Sequence, residues 1–118
     1  MNDLELIHRT LLEFPETTEE TPFGPDVCVY KVAGKMFATL SIDPFPPRMN
    51  LKCDPDRAVE LRDEHAAILP GYHMNKRHWN TLNLDGSLSD PFVIELIEHS
   101  FACTLAKHTA AVRKRLTS

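Results

Sequence analysis

Asp26-Val27-Cys28-Val29-Tyr30-Lys31-Val32-Ala33-Gly34-Lys35-Met36-Phe37-Ala38-Thr39-Leu40-Ser41-Ile42 is the stretch that decides the fold. Residues 26–32 are β-branched and aromatic enough for a strand, Gly34 suits a tight turn, and residues 35–42 return as the antiparallel partner. Alternation places Met36, Ala38, Leu40 and Ile42 on one face and Lys35, Phe37, Thr39 and Ser41 on the other. The proline-rich Asp43-Pro44-Phe45-Pro46-Pro47 cannot continue a ladder and is expected to be a connection. A third strand follows at residues 48–53. Met49, Leu51 and Cys53 point one way along it, and Arg48, Asn50 and Lys52 the other.

Upstream, Leu4, Ile7, Leu11 and Phe14 repeat at helical spacing, so a first helix is expected over residues 3–14, capped by Asn2 or Asp3 and closed by Pro15. Residues 15–25 read as an acidic loop with Phe23 as its anchor into the core. Downstream, Asp54-Pro55 starts a second helix that runs to about His65. A short fourth strand is expected after Pro70-Gly71, and a fifth at residues 79–84. Ser89 or Asp90 with Pro91 caps a last long helix, whose stripe of Val93, Leu96, Ile97, Ser100, Phe101, Thr104, Leu105 and His108 faces the core. The order α-β-β-β-α-β-β-α implies one α+β domain over residues 1–118, a mostly antiparallel five-stranded sheet with its helices packed on one face.

The 118 residues are 42% hydrophobic and 25% charged, ordinary for a soluble domain. The longest apolar runs are a few residues, so no membrane span is expected, and the acidic N-terminus lacks the features of a secretory signal. The three cysteines lie far apart with no CxxC pair, which points to buried thiols in a reducing cytoplasm and to no disulfide-linked partner. A monomer is expected. The net charge of −4 argues against a generic nucleic-acid coat. The charge is uneven, however: residues 1–60 carry eleven acids against six bases, and residues 61–118 six acids against seven bases.

The densest polar and basic cluster in the middle of the chain is Pro70-Gly71-Tyr72-His73-Met74-Asn75-Lys76-Arg77-His78-Trp79-Asn80-Thr81, which also holds the only tryptophan. It reads as a hairpin presenting cations, an amide and an aromatic ring. If Leu82 and Leu84 point inward, Trp79 and Thr81 point outward, alongside Lys35, Arg48 and Lys52. The candidate surface is therefore Lys35, Arg48, Lys52, His73, Asn75, Lys76, Arg77, His78 and Trp79, suited to the phosphate backbone of double-stranded DNA. Against this stand a core tryptophan and a merely solvated sheet face.

Two other readings compete. His73, His78 and Lys76 could serve acid–base chemistry or an anion, yet no carboxylate at ligand spacing, Gly-rich phosphate loop or nucleophile elbow accompanies them. No catalytic constellation, metal or cofactor is therefore expected. Glu13, Glu16, Glu19 and Glu20 form an acidic stretch that could meet iron or a partner protein.

Several segments together resemble the MmcQ/YjbR family of small bacterial proteins. They are Thr21-Pro22-Phe23-Gly24, Val32-Ala33-Gly34-Lys35-Met36-Phe37-Ala38, Leu51-Lys52-Cys53, the 70–81 stretch, Leu84-Asp85-Gly86, and residues 97–101. The resemblance spans nearly the whole chain. It implies a fold similar to CyaY and a DNA-binding label drawn from likeness to a double-wing domain, which is an analogy of fold. The recurrent polar positions of the family match Lys35, Lys52, Asn75, Lys76, His78, Trp79 and Asn80.

Overall fold

The structure is a computed structural model that describes residues 2–43, 45–72 and 74–117. Its centre is one antiparallel sheet of six strands: β1 (Thr17–Glu20), β2 (Val27–Val32), β3 (Lys35–Ser41), β4 (Arg48–Lys52), β5 (Ile68–Pro70) and β6 (Trp79–Asn83), in the order β1-β2-β3-β4-β6-β5. Four helices accompany it: α1 (Leu4–Glu13), α2 (Pro55–Glu64), α3 (Asp90–Leu105) and α4 (Ala110–Thr117). The Asp3 carboxylate caps α1 by accepting from the Leu6 N–H at 3.1 Å, and the Ser89 hydroxyl caps α3 by accepting from the Phe92 N–H at 3.3 Å. Ile7 and Leu11 of α1, Ala58 and Leu61 of α2, and Leu96 and Ile97 of α3 meet Leu40, Met49, Leu51 and Leu82 in one core. The sheet is thus packed by helices on one face, and the α+β class stands.

Four local expectations are corrected. The acidic 15–25 segment contains the edge strand β1, paired with β2 from Thr17↔Val32 to Glu20↔Val29. Two threonines suit a strand, and outward carboxylates on an edge discourage pairing with another chain. Glu16, Glu19 and Glu20 are also engaged, with Arg115 at 2.6 Å, His8 at 3.0 Å and Lys31 at 2.8 Å. Phe23, read as a core anchor, is 78% exposed. The fifth strand in chain order lies at residues 68–70, before Gly71 rather than after it. The last helix breaks between residues 105 and 110, where the buried His108 ring reaches the Val32 carbonyl at 2.9 Å and Thr109 recaps the chain.

The alternation of β3 also reverses part-way. Tyr30 pairs with Ala38 but Lys31 pairs with Met36, so Phe37 is the extra residue of a bulge. It turns into the core, fully buried and edge-on to Phe14 and Phe101, while Met36 moves to the opposite face. The displaced Phe37 carbonyl accepts from the Ser100 hydroxyl, which in turn accepts from the Lys52 N–H at 2.8 Å. A side chain of α3 therefore takes the place of a β3–β4 rung beyond Ala38↔Leu51.

Candidate functional site

The sheet face away from the helices carries Thr39 and Ser41 of β3, Arg48 and Asn50 of β4, and Thr81 of β6, brought together by the registers Thr39↔Asn50, Ser41↔Arg48 and Asn50↔Thr81. With Val27 and Met36 they floor a groove of about 520 Å³, whose walls are Phe23 from the β1–β2 loop and Tyr72 and Met74 from the β5–β6 loop. Asp43 sits at the Arg48 end. Within the groove Thr39 and Thr81 are buried.

A hydrogen-bonded relay crosses the floor. The Tyr72 N–H donates to Thr81 Oγ1 at 2.9 Å, the Thr81 hydroxyl donates to Asn50 Oδ1, and Asn50 Nδ2 donates to Thr39 Oγ1 at 3.0 Å. The relay leaves the Thr39 O–H and the second Asn50 N–H as donors, and each of its three oxygens keeps one lone pair to accept with. Arg48 adds a guanidinium that makes no ion pair among the described residues. The tyrosine and phenylalanine walls are 61% and 78% exposed. The groove offers hydrogen-bond donors and acceptors, one cation and aromatic sides, which suits a flat ligand with polar edges.

Of the described residues nominated from the sequence, only Arg48 lines this groove. Trp79 keeps the outward parity of Thr81 on β6, as expected, but is covered rather than displayed: it is 8% exposed, with Gly71 of the β5–β6 loop packed against it. A ring of that size gains more from burial than from display. Lys35 and Lys52 lie at the other end of β3 and β4, where the Lys35 ammonium donates to the Lys107 carbonyl at 2.9 Å. Lys76 donates to the Gly71 carbonyl at 3.3 Å, and Asn75 accepts from the Arg77 N–H at 2.9 Å, so both shape the exposed loop that also carries Arg77. The His78 backbone carbonyl accepts from the Cys53 N–H at 2.8 Å, and its ring is half-buried. His73 lies outside the described residues.

The sequence reading passed over Thr39, Asn50, Thr81 and Tyr72 as site residues, although three outward polar positions at matching registers on adjacent strands were the available signal. It also passed over His99 and Cys103, one helical turn apart, where Sγ lies 3.4 Å from Nε2 and the Asp54 N–H donates to the same nitrogen at 3.2 Å. Burial pushes the Cys103 thiol up and the His99 imidazole down from their ordinary values, so both are held neutral. Buried Cys53 is pushed up to about 11 by desolvation. These cysteines rest as thiols rather than as activated nucleophiles. Among the described residues no three His, Cys, Asp or Glu side chains gather to hold a metal ion, and no helix is long and apolar enough to cross a membrane.

Comparison with known proteins agrees with this architecture. The chain is 36% identical over 97 residues to YbdF of Escherichia coli O157:H7, an alignment covering 82% of this chain and 80% of YbdF. It is 38% identical over 71 residues to YjbR of Escherichia coli K12, covering 60% of each. Among solved structures it is similar to Deinococcus radiodurans DR2400, of the DUF419 domain family, with a TM-score of 0.90 and 37% identity over 98% of this chain and 88% of that one. A Pseudomonas syringae protein follows the same fold at a TM-score of 0.73 and 30% identity, covering 88% of this chain and 99% of that one. The YjbR family model matches residues 12–103, from the end of α1 to the last turns of α3 and through every strand, and the chain belongs to the YjbR family.

Proposed function

We propose that this chain is a non-catalytic nucleic-acid-binding module that takes an unpaired nucleotide into the groove on its sheet face. The observation that carries the reading is the gathering of the Thr39, Asn50 and Thr81 relay, the Arg48 guanidinium and the Phe23 and Tyr72 rings around one groove. Base edges carry acceptors that Thr39 and Asn50 can satisfy, a phosphate suits the guanidinium, and the exposed Tyr72 and Phe23 rings supply stacking surfaces. A volume of about 520 Å³ falls within the usual range for a site enclosing a small planar group. Double-stranded DNA gripped by its backbone fits less well. That mode needs a continuous track of cations, whereas Arg48 and Lys52 occupy opposite ends of β4 and Trp79 is covered by the β5–β6 loop.

Fluorescence anisotropy with a short labelled oligonucleotide, single-stranded or annealed, tests this directly. Single strands bind more tightly than the duplex, and affinity falls as salt rises. Tyr72→Ala costs about 1–3 kcal/mol, the worth of one stacked base, and Arg48→Gln weakens binding by about tenfold, as expected for one charged hydrogen bond. Equal affinity for single strand and duplex, or binding indifferent to Tyr72→Ala, refutes the groove as the site.

A further inference from the structure

At the far end of β3 and β4 from the groove, the β3 start, the β4 end and the C-terminal end of α3 converge around the Ser100 hydroxyl that joins the two strands. Three lysines meet there. Lys35 donates to the Lys107 carbonyl at 2.9 Å, and Lys52, whose N–H is held by Ser100, is half-buried beside them. None of the three makes an ion pair with a carboxylate among the described residues. The Lys52 ammonium is held below the ordinary lysine range, first by burial and next by the positive charge of Lys107, with a further contribution from Lys35. Such crowding is unfavourable in isolation. The carbonyls at the end of α3 offset part of it, through Lys35, and leave the Lys52 and Lys107 ammoniums to be compensated.

We infer that Lys35, Lys52 and Lys107 form a binding site for a phosphate group. The partner chemistry follows from the charge. A dianion with oxygens in several directions can meet two or three ammoniums contributed by separate elements, whereas a single carboxylate meets fewer of them. The site does not depend on the groove. Arg48 and Lys52 are four positions apart on one strand, about 13 Å at the usual strand rise. The phosphate could be free or part of a strand backbone, and both present the same group.

The full-length chain, labelled with nitrogen-15, is titrated with inorganic phosphate exchanged against chloride at constant ionic strength. Saturable shifts are expected at the Lys52, Ser100 and Lys107 amides. Lys52→Gln raises the midpoint about tenfold, as loss of one charged hydrogen bond does, and Arg48→Gln leaves it unchanged. Should Lys52→Gln perturb folding, the exposed pair Lys35→Gln and Lys107→Gln abolishes the same shifts in a folded background. An oligonucleotide without terminal phosphates distinguishes the sources: the same amides move if a strand backbone occupies the site, and stay still if only free phosphate does. Shifts that never saturate, that chloride reproduces, or that survive the lysine substitutions overturn the inference. So does a pair variant that loses stability with no change in phosphate response, since the lysines would then serve only the end of α3.

Discussion

Replacing Ser100 by alanine removes a single oxygen atom and breaks two long-range hydrogen bonds. The hydroxyl is fully buried, donates to the Phe37 carbonyl and accepts from the Lys52 N–H at 2.8 Å. Both partners are backbone groups at the point where the bulge ends the β3–β4 ladder, so neither finds a new partner on an adjacent strand. Leaving a buried polar group unpaired costs about 1–3 kcal/mol. The Phe37 carbonyl carries the full cost and the partly buried Lys52 N–H less, so Ser100→Ala is expected to lose about 2–4 kcal/mol. For a domain of this length that lowers Tm by roughly 8–16 °C. Urea unfolding followed by circular dichroism gives the first number, and hydrogen exchange at the Lys52 amide shows whether the loss is local. A loss below about 0.5 kcal/mol with the Lys52 amide still slow to exchange would mean that the strands close without Ser100, and the account of the bulge would fail.

Two further perturbations test the surroundings. A Cβ at Gly71 would stand 2.8 Å from the Trp79 Cβ and 2.9 Å from its carbonyl oxygen, so Gly71→Ala is expected to cost about 1–3 kcal/mol and to shift tryptophan emission to the red, whereas unchanged emission would show that the loop adapts. The His99 imidazole is held below its ordinary value by burial, followed by the nearby Arg57, and its neutral Nε2 accepts from the Asp54 N–H where α2 begins. With the folded value depressed, the unfolded chain binds the proton first. Stability is therefore full above the ordinary histidine range, about 6.5, and falls as pH drops through the folded value. His99→Gln removes that component of the pH slope, and a slope identical in both proteins would exclude this role.

Much of the fold was legible because its signals were local. Asp3 and Ser89 act as caps where the sequence placed them, and Met49 and Leu51 on β4, with Cys53 just beyond it, turn inward as a period of two requires. What escaped depended on distant partners. Thr17–Glu20 reads as a polar loop until Val29–Val32 supplies the facing strand, and the helix after Leu105 stops because His108 finds the Val32 carbonyl across the fold. Phe37 is the sharpest case. Its alternation is regular in the sequence, and only the register Tyr30↔Ala38 followed by Lys31↔Met36 shows that one residue has been inserted.

That one-residue insertion also changes the character of the candidate site. A regular β3 would set Phe37 on the sheet face with Thr39 and Ser41 and send Met36 to the helices. The bulge exchanges them, placing a flexible thioether in the groove and a rigid ring against Phe14 and Phe101. The burial of Trp79 subtracts a second expected aromatic from the display. Stacking surface then comes from the loops, through Phe23 and Tyr72, while the strands supply the hydrogen-bonding seam of Thr39, Asn50 and Thr81. Division of labour between loop-borne aromatic walls and a hydrogen-bonded floor fits the proposed insertion of one group better than a long rigid helix of DNA laid across the sheet. The cations follow the same division, with Arg48 beside the seam and Lys35, Lys52 and Lys107 gathered where α3 wedges the strands apart.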